Sequence, residues 1–302
     1  MIAAETAKVS PWAYHAHPEV WVILGAALLG YWYLLRRFGP TDVAPGEPVV
    51  TRKQRWLFVS GVVLLWLFAD WPVHDIAERY LYSVHMLQHM VFMLCAPPLL
   101  ILGTPPWLQR RLLRPKALGF LVKRICRPVP AAIIFNVVIG VGHAPFWVNY
   151  TLEHQLAHFF AHLLVFTVSM IMWFPVVNRM EEYPRLRQPA GMVYLFVQSI
   201  LPNAPVAFLT FASGVVYSYY ARVPRPFPIS AVDDQQLAGA VMKVGGTLII
   251  WSTILVQFIR WYQAEEGGFD RRRRSPSAAQ TLPETLTWDD VETELSRTQP
   301  TP

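Results

Sequence analysis

The sequence predicts an all-α fold: a polytopic membrane helix bundle with seven transmembrane helices, its N-terminus outside and its C-terminus in the cytoplasm. Three observations predict it. Of the 302 residues, 54% are hydrophobic and 15% charged, with a mean hydropathy of +0.30, whereas soluble domains carry about 25% charged residues. Seven stretches are apolar over the roughly 20 residues that a helix rising 1.5 Å per residue needs to cross a bilayer. Every second loop is basic, which orients the spans.

The expected spans run from about Trp21 to Phe38, Trp56 to Val73, Leu81 to Gly103, Pro130 to Trp147, Gln155 to Pro175, Gly191 to Phe211 and Leu237 to Trp261. Gly140, Gly142 and Pro145 break the end of the fourth, and Pro202 and Pro205 break the sixth, which a membrane tolerates where neighbouring helices satisfy the freed backbone groups. Arg36, Arg37, Arg52, Lys53 and Arg55 follow the first span; seven basic residues from Arg110 to Arg127 follow the third. Arg179, Arg185 and Arg187 follow the fifth, and Arg260 with Arg271 to Arg274 follows the seventh. Opposite loops hold only Lys8, Arg79, Arg222 and Arg225. The net charge of +6 is therefore a topology signal, and nucleic acid is excluded as a partner.

The chain divides into a transmembrane domain over residues 1–262 and a polar cytoplasmic tail over 263–302, expected to be mostly disordered. Within the tail, Trp288, Val291 and Leu295 recur at helical spacing and Thr287 with Asp290 resembles a capping box, so 287–297 reads as a short amphipathic helix. The first twenty residues lack a basic, then apolar, leader pattern and are read as carrying no signal peptide. Cys95 lies in a span and Cys126 in a basic loop, and no disulfide is expected between them.

Topology gives the histidines meaning. His85 and His89 are one turn apart, roughly 8 and 14 Å below the outer surface at 1.5 Å per residue. His154, His158 and His162 recur at i, i+4 and i+8 and form one stripe to the same depth. His143 ends the fourth span, and His74 the second, so all nine histidines, with His15 and His17, fall on the outer side. Ionisable groups in a bilayer are costly and face a functional interior, so His74, His85, His89, His143, His154, His158 and His162 are the candidate metal ligands. The competing reading is structural hydrogen bonding between helices. Met86, Met90 and Met93 share a helix with His85 and His89, and imidazole with thioether favours copper, with haem as the alternative cofactor. In "DDQQLAGAVMKVGG", Asp233 or Asp234 either caps the seventh span or faces the histidines, and Lys243 argues against a metal role for Met242. Neither a His-Glu-x-x-His helix nor a Gly-x-Ser-x-Gly elbow is present, so no enzyme is expected; an intramembrane metal-dependent enzyme and a transporter remain alternatives.

"HMLQHMVFMLCAPPLLILGTP", "GHAPFWVNYTLEHQLAHFFAHLLVFTVSMIMWFP" and "DDQQLAGAVMKVGG" together resemble the CtaG family of multispan cytochrome c oxidase (caa-type) assembly proteins, over nearly all of residues 10 to 262. The resemblance implies a multi-pass protein of the bacterial plasma membrane that matures a haem-copper oxidase, with oxidase subunits and the lipid bilayer as partners. His85, His89, His143, His154, His158 and His162 are the histidines that match the family's motifs.

Overall fold

The computed structural model describes residues 10–274 and 288–297, and among these residues every regular element is helical. Two compact units divide the chain, residues 1–255 and 256–302.

In the first unit, α1 (Pro18–Asp42) starts on a proline, whose missing N–H has no partner to lose in a first turn. A capping box opens α2 (Arg52–Ala69): the Gln54 amide N–H donates to Thr51 Oγ1, and the Thr51 N–H donates to Gln54 Oε1. Past a 44° bend at residues 70–72 comes α3 (Val73–Arg79). Next come α4 (Tyr82–Met90), a π-helical turn over Val91–Cys95 and α5 (Ala96–Gly103), which together make one apolar span, Tyr82–Gly103. Pro97 and Pro98 account for the turn, because neither can donate to the carbonyl four residues earlier and each ring pushes that carbonyl away. The carbonyl of Met93 instead accepts a hydrogen bond from Trp173 Nε1 at 2.9 Å.

Two short helices follow, α6 (Pro106–Leu112) and α7 (Lys116–Ile125), and an 82° bend leads into α8 (Pro128–Gly142). Then come α9 (Pro145–Glu153), α10 (Gln155–Val177), α11 (Gln188–Ile200), α12 (Asn203–Phe211) and α13 (Ser218–Arg222). The last long helix, α14, runs from Ala231 to Arg274, beyond the expected domain end at 262. Buried Tyr82, Met86, Trp173, Leu195, Leu209 and Ala238 join α4, α10, α11, α12 and α14 in one core. Close approach is built in where glycine faces backbone: a Cβ at Gly103 would overlap Phe58 of α2, and one at Gly239 would overlap Thr210 of α12.

Among the described residues, four helices are long and apolar enough to cross a membrane: Pro18–Asp42, Tyr82–Gly103, Gln155–Val177 and Ala231–Glu266. Counting each bent pair, α2 with α3 and α7 with α8, as one span gives six. The sixth expected stretch, Gly191 to Phe211, is divided between α11 and α12 at Leu201 and Pro202, and neither half is long enough alone. The fourth is broken at the glycines and proline expected to break it: its helix ends at Gly142, and Pro145 starts a separate α9.

In the second unit, α15 (Trp288–Arg297) carries exposed Trp288 and Leu295 on an amphipathic turn pattern. Thr287, the expected cap, and the tail over 275–287 lie outside the described residues.

Candidate metal centre

The site is assembled from residues of four helices, α3, α4, α8 and α10. Helix α4 presents His85 and His89 inward because its first turn is held from outside its own sequence. Buried Asp234, on α14, accepts from the Tyr82 N–H at 2.8 Å, the Ser83 N–H at 3.0 Å and Ser83 Oγ at 2.6 Å, and Arg225 Nη1 sits 3.3 Å from the same carboxylate. A carboxylate there satisfies the orphan N–H groups and the positive end of the helix dipole. Asp234 thus takes neither expected role, capping α4 instead of its own helix, whereas exposed Asp233 accepts from Ser230 Oγ at the start of α14.

From α10, His158 and His162 meet the α4 pair. One ligand atom each from His85, His158 and His162 lies within 4.8 Å of the others, the spacing of a set that could close on a single ion. His89 extends the group, its ring centroid 4.5 Å from that of His85 and 5.0 Å from that of His162. His143, at the end of α8, donates from or accepts at nothing on Nε2, while its Nδ1 lies 2.7 Å from the Ile139 carbonyl and is the donor there. These five imidazoles, with Met86, wall a cavity of about 40 Å³, room for an ion and little else.

His74 stands behind this group, its centroid 6.2 Å from His158 and 6.1 Å from His162. Gln88 Nε2 donates to the Phe68 carbonyl at 2.6 Å and to His74 Nδ1 at 2.9 Å, so the proton of His74 is on Nε2. His154 departs from the expected stripe. It precedes α10 with extended backbone (φ −128°, ψ 99°), and its exposed ring stacks on Tyr150 and lies 2.8 Å from the Tyr150 carbonyl. Helical spacing holds only inside a helix, and α10 begins one residue too late to include it.

Glu78 was not legible as a site residue. Its Oε1 lies 2.8 Å from His158 Nε2 and 3.2 Å from His74 Nε2, which places a carboxylate directly behind two imidazoles. The signal available was the i, i+4 spacing of His74 and Glu78 on one face of α3. Further out, buried Asp75 is held by His15 at 3.1 Å, His17 at 3.1 Å and Arg79 at 3.4 Å. Burial alone would lower the pKa of His17, but the carboxylates of Asp75 and Glu19 outweigh it and raise the value above the ordinary 6.5. Asp70 accepts from the indoles of Trp21 at 2.6 Å and Trp66 at 2.8 Å, a rim contact rather than a ligand position.

Among the described residues, His85 Nδ1, His89 Nε2, His143 Nε2, His158 Nδ1 and His162 Nε2 are buried without a hydrogen-bond partner. Each such atom costs about 1–3 kcal/mol when nothing pairs with it. All five belong to imidazoles that line the same cavity. The donor set is imidazole, backed by one carboxylate, a combination that could hold a transition metal.

The sequence profile of the cytochrome c oxidase caa3 assembly factors (Caa3_CtaG) matches residues 26–264, which span every element of this centre. The chain belongs to that family. Among curated proteins, the family member described here is 24% identical over 259 residues to an uncharacterized protein of Mycobacterium leprae, covering 80% of this chain and 38% of that one. It is 23% identical over 241 residues to an uncharacterized protein of Mycobacterium bovis and to one of Mycobacterium tuberculosis, covering 72% of this chain and 35% of each. The chain thus spans little more than a third of the length of the curated relatives it matches. No solved structure matches it.

Proposed function

We propose that this protein is a multi-pass factor of the bacterial plasma membrane that holds copper on the outer side of the bilayer for delivery to a haem-copper cytochrome c oxidase. Family membership supports the oxidase-assembly half of the reading. One observation carries the copper half: His85, His158 and His162 bring three ligand atoms within 4.8 Å of one another, in a buried setting with orphaned nitrogens. Imidazole alone suits copper, zinc or iron, and the thioether of Met86 in the same wall tilts the set to copper. Copper in this reading is cargo, and the residues' work is to bind it, exclude water and release it to an oxidase subunit. The reading includes seven spans, the sixth made from the broken pair α11 and α12, with the N-terminus outside and the C-terminus in the cytoplasm.

Haem is the second reading, because an apolar cavity of about 860 Å³ between α1, α2, α5 and α10 reaches His74, His158 and His162. That volume lies in the range of pockets for organic ligands, whereas the histidine cavity does not. Metal content and the visible spectrum of protein purified in mild detergent separate the two. Wild type loaded anaerobically with Cu(I) is expected to bind copper through nitrogen ligands without a Soret band, and a His85→Ala, His158→Ala, His162→Ala variant is expected to lose that nitrogen-bound copper. A Soret band in the wild type would replace copper with haem, and failure to retain either would leave the histidines a structural role.

A further inference from the structure

A second cavity, of about 60 Å³, adjoins the first, and its walls include Met90, Met93, Met172 and Met242. His143 is a wall of both cavities. We propose that this second cavity is a separate binding site for a soft monovalent cation, Cu(I), held by thioethers and reached from the histidines through His143. The proposal rests on the copper reading of the histidine centre for the identity of the ion, and adds a site of different donor chemistry.

Methionine on one helix face is ordinarily packing material, since its flexible side chain fills irregular gaps. Here the methionines belong to the buried core and also border open space. Met90 and Met93 from the third span, Met172 from α10 and Met242 from α14 are all buried, yet the space between them is unfilled. Interiors pack at close to crystal density, so residues chosen to fill a gap leave none. The sulfur of Met90 is at the wall: a Cβ built at Gly246, which lines the same cavity, would sit 3.7 Å from Met90 Sδ. The independent sign of a ligand is His143, whose Nε2 is buried with no hydrogen-bond partner.

Thioether is a soft, neutral donor that selects Cu(I), while imidazole serves either oxidation state. Passage from the first cavity to the second is then ligand exchange with no change of oxidation state: Cu–N bonds to His85, His158 and His162 are replaced by Cu–S bonds, with His143 as the shared ligand. Met93 lies one turn, about 6 Å, deeper than His89. Lys243 also lines the cavity, but its side chain is exposed while that of Met242 is buried, as neighbours 100° apart on a helix must diverge. The charge so close to Met242 makes Met90, Met93 and Met172 the essential donors.

The test uses the full chain in detergent micelles, loaded anaerobically with Cu(I), with Ag(I) as a second probe, and read by X-ray absorption for sulfur and nitrogen neighbours. A Met90→Leu, Met93→Leu, Met172→Leu variant keeps side-chain volume close to native. Wild type is expected to show sulfur scattering and the variant to lose it, with Ag(I) binding weakened about tenfold or more, the loss of about 1.4 kcal/mol. The His85→Ala, His158→Ala, His162→Ala variant is expected to keep sulfur-bound metal. Nitrogen-only scattering in the wild type, or sulfur scattering that survives the leucine substitutions, overturns the thioether site while leaving the histidine centre intact. Sulfur-bound metal in the absence of any histidine-bound metal supports the second site and overturns copper at the first. If the triple variant fails to elute as a folded monodisperse species, the three single Met→Leu variants are read the same way, and sulfur scattering equal to that of the wild type in all three overturns the proposal.

Discussion

At the scale of the residue, the centre depends on groups that hold the imidazoles as much as on the imidazoles themselves. Glu78 lies 2.8 Å from His158 Nε2 and 3.2 Å from His74 Nε2, and His74 is fixed in turn by Gln88. A carboxylate behind an imidazole raises its basicity and sets which nitrogen faces the ion, and loss of such a partner costs about 10–100-fold in metal affinity. Glu78→Gln is therefore expected to weaken Cu(I) binding by that factor, measured by competition with a chromophoric chelator, while Glu153→Gln at the exposed rim leaves it unchanged. Equal affinities in Glu78→Gln and the wild type would remove Glu78 from the site. The sequence displayed His74 and Glu78 four residues apart, but nothing in their spacing said that the third side chain across from them would be His158. That pairing is made between α3 and α10, 80 residues apart.

At the scale of the element, α4 illustrates a helix whose start is not encoded locally. Leu81 precedes it and offers no side-chain cap, so Asp234 supplies the acceptors from α14. An N-cap contributes about 0.5–2 kcal/mol, and a buried charge-assisted network adds to it. Asp234→Asn should thus lower the stability of the protein by about 2 kcal/mol or more and loosen His85 and His89 together. Asp233→Asn, at an exposed helix start, should cost a few tenths of that. Thermal unfolding in detergent with intrinsic tryptophan fluorescence compares the two, and indistinguishable midpoints would show that the cap is not needed. The apolar periodicity that made α4 and α10 recognisable was fully present in sequence. The start of α10 was not: whether His154 is inside or outside the first turn depends on a backbone angle, and one residue moves it from the stripe to the surface.

At the scale of the whole molecule, charge predicts the orientation of the bundle. The seven basic residues between Arg110 and Arg127, and the run Arg271 to Arg274, are expected on the cytoplasmic side, where retention of Lys and Arg is favoured. A reporter active only in the cytoplasm, fused after residue 302, is expected to be active, and one fused within residues 224–230 inactive. The opposite result would invert the bundle and place the histidine centre on the inner face. A cysteine at residue 214, between α12 and α14, labelled by an impermeant reagent from outside, tests the broken sixth span in the same way.

The sequence by itself determined the membrane class, the sign of each loop and the family, because these follow from local quantities: apolar length, charge count and a string of motifs. It also determined that His85 with His89, and His158 with His162, share helix faces, since 3.6 residues per turn requires it. Only the tertiary structure decided that these two faces meet, that Glu78 stands behind them, that His154 does not join and that Asp234 caps α4. Each of those facts is a distance between segments remote in the chain. A periodicity fixes the direction in which a side chain leaves its own helix, and packing fixes what it meets.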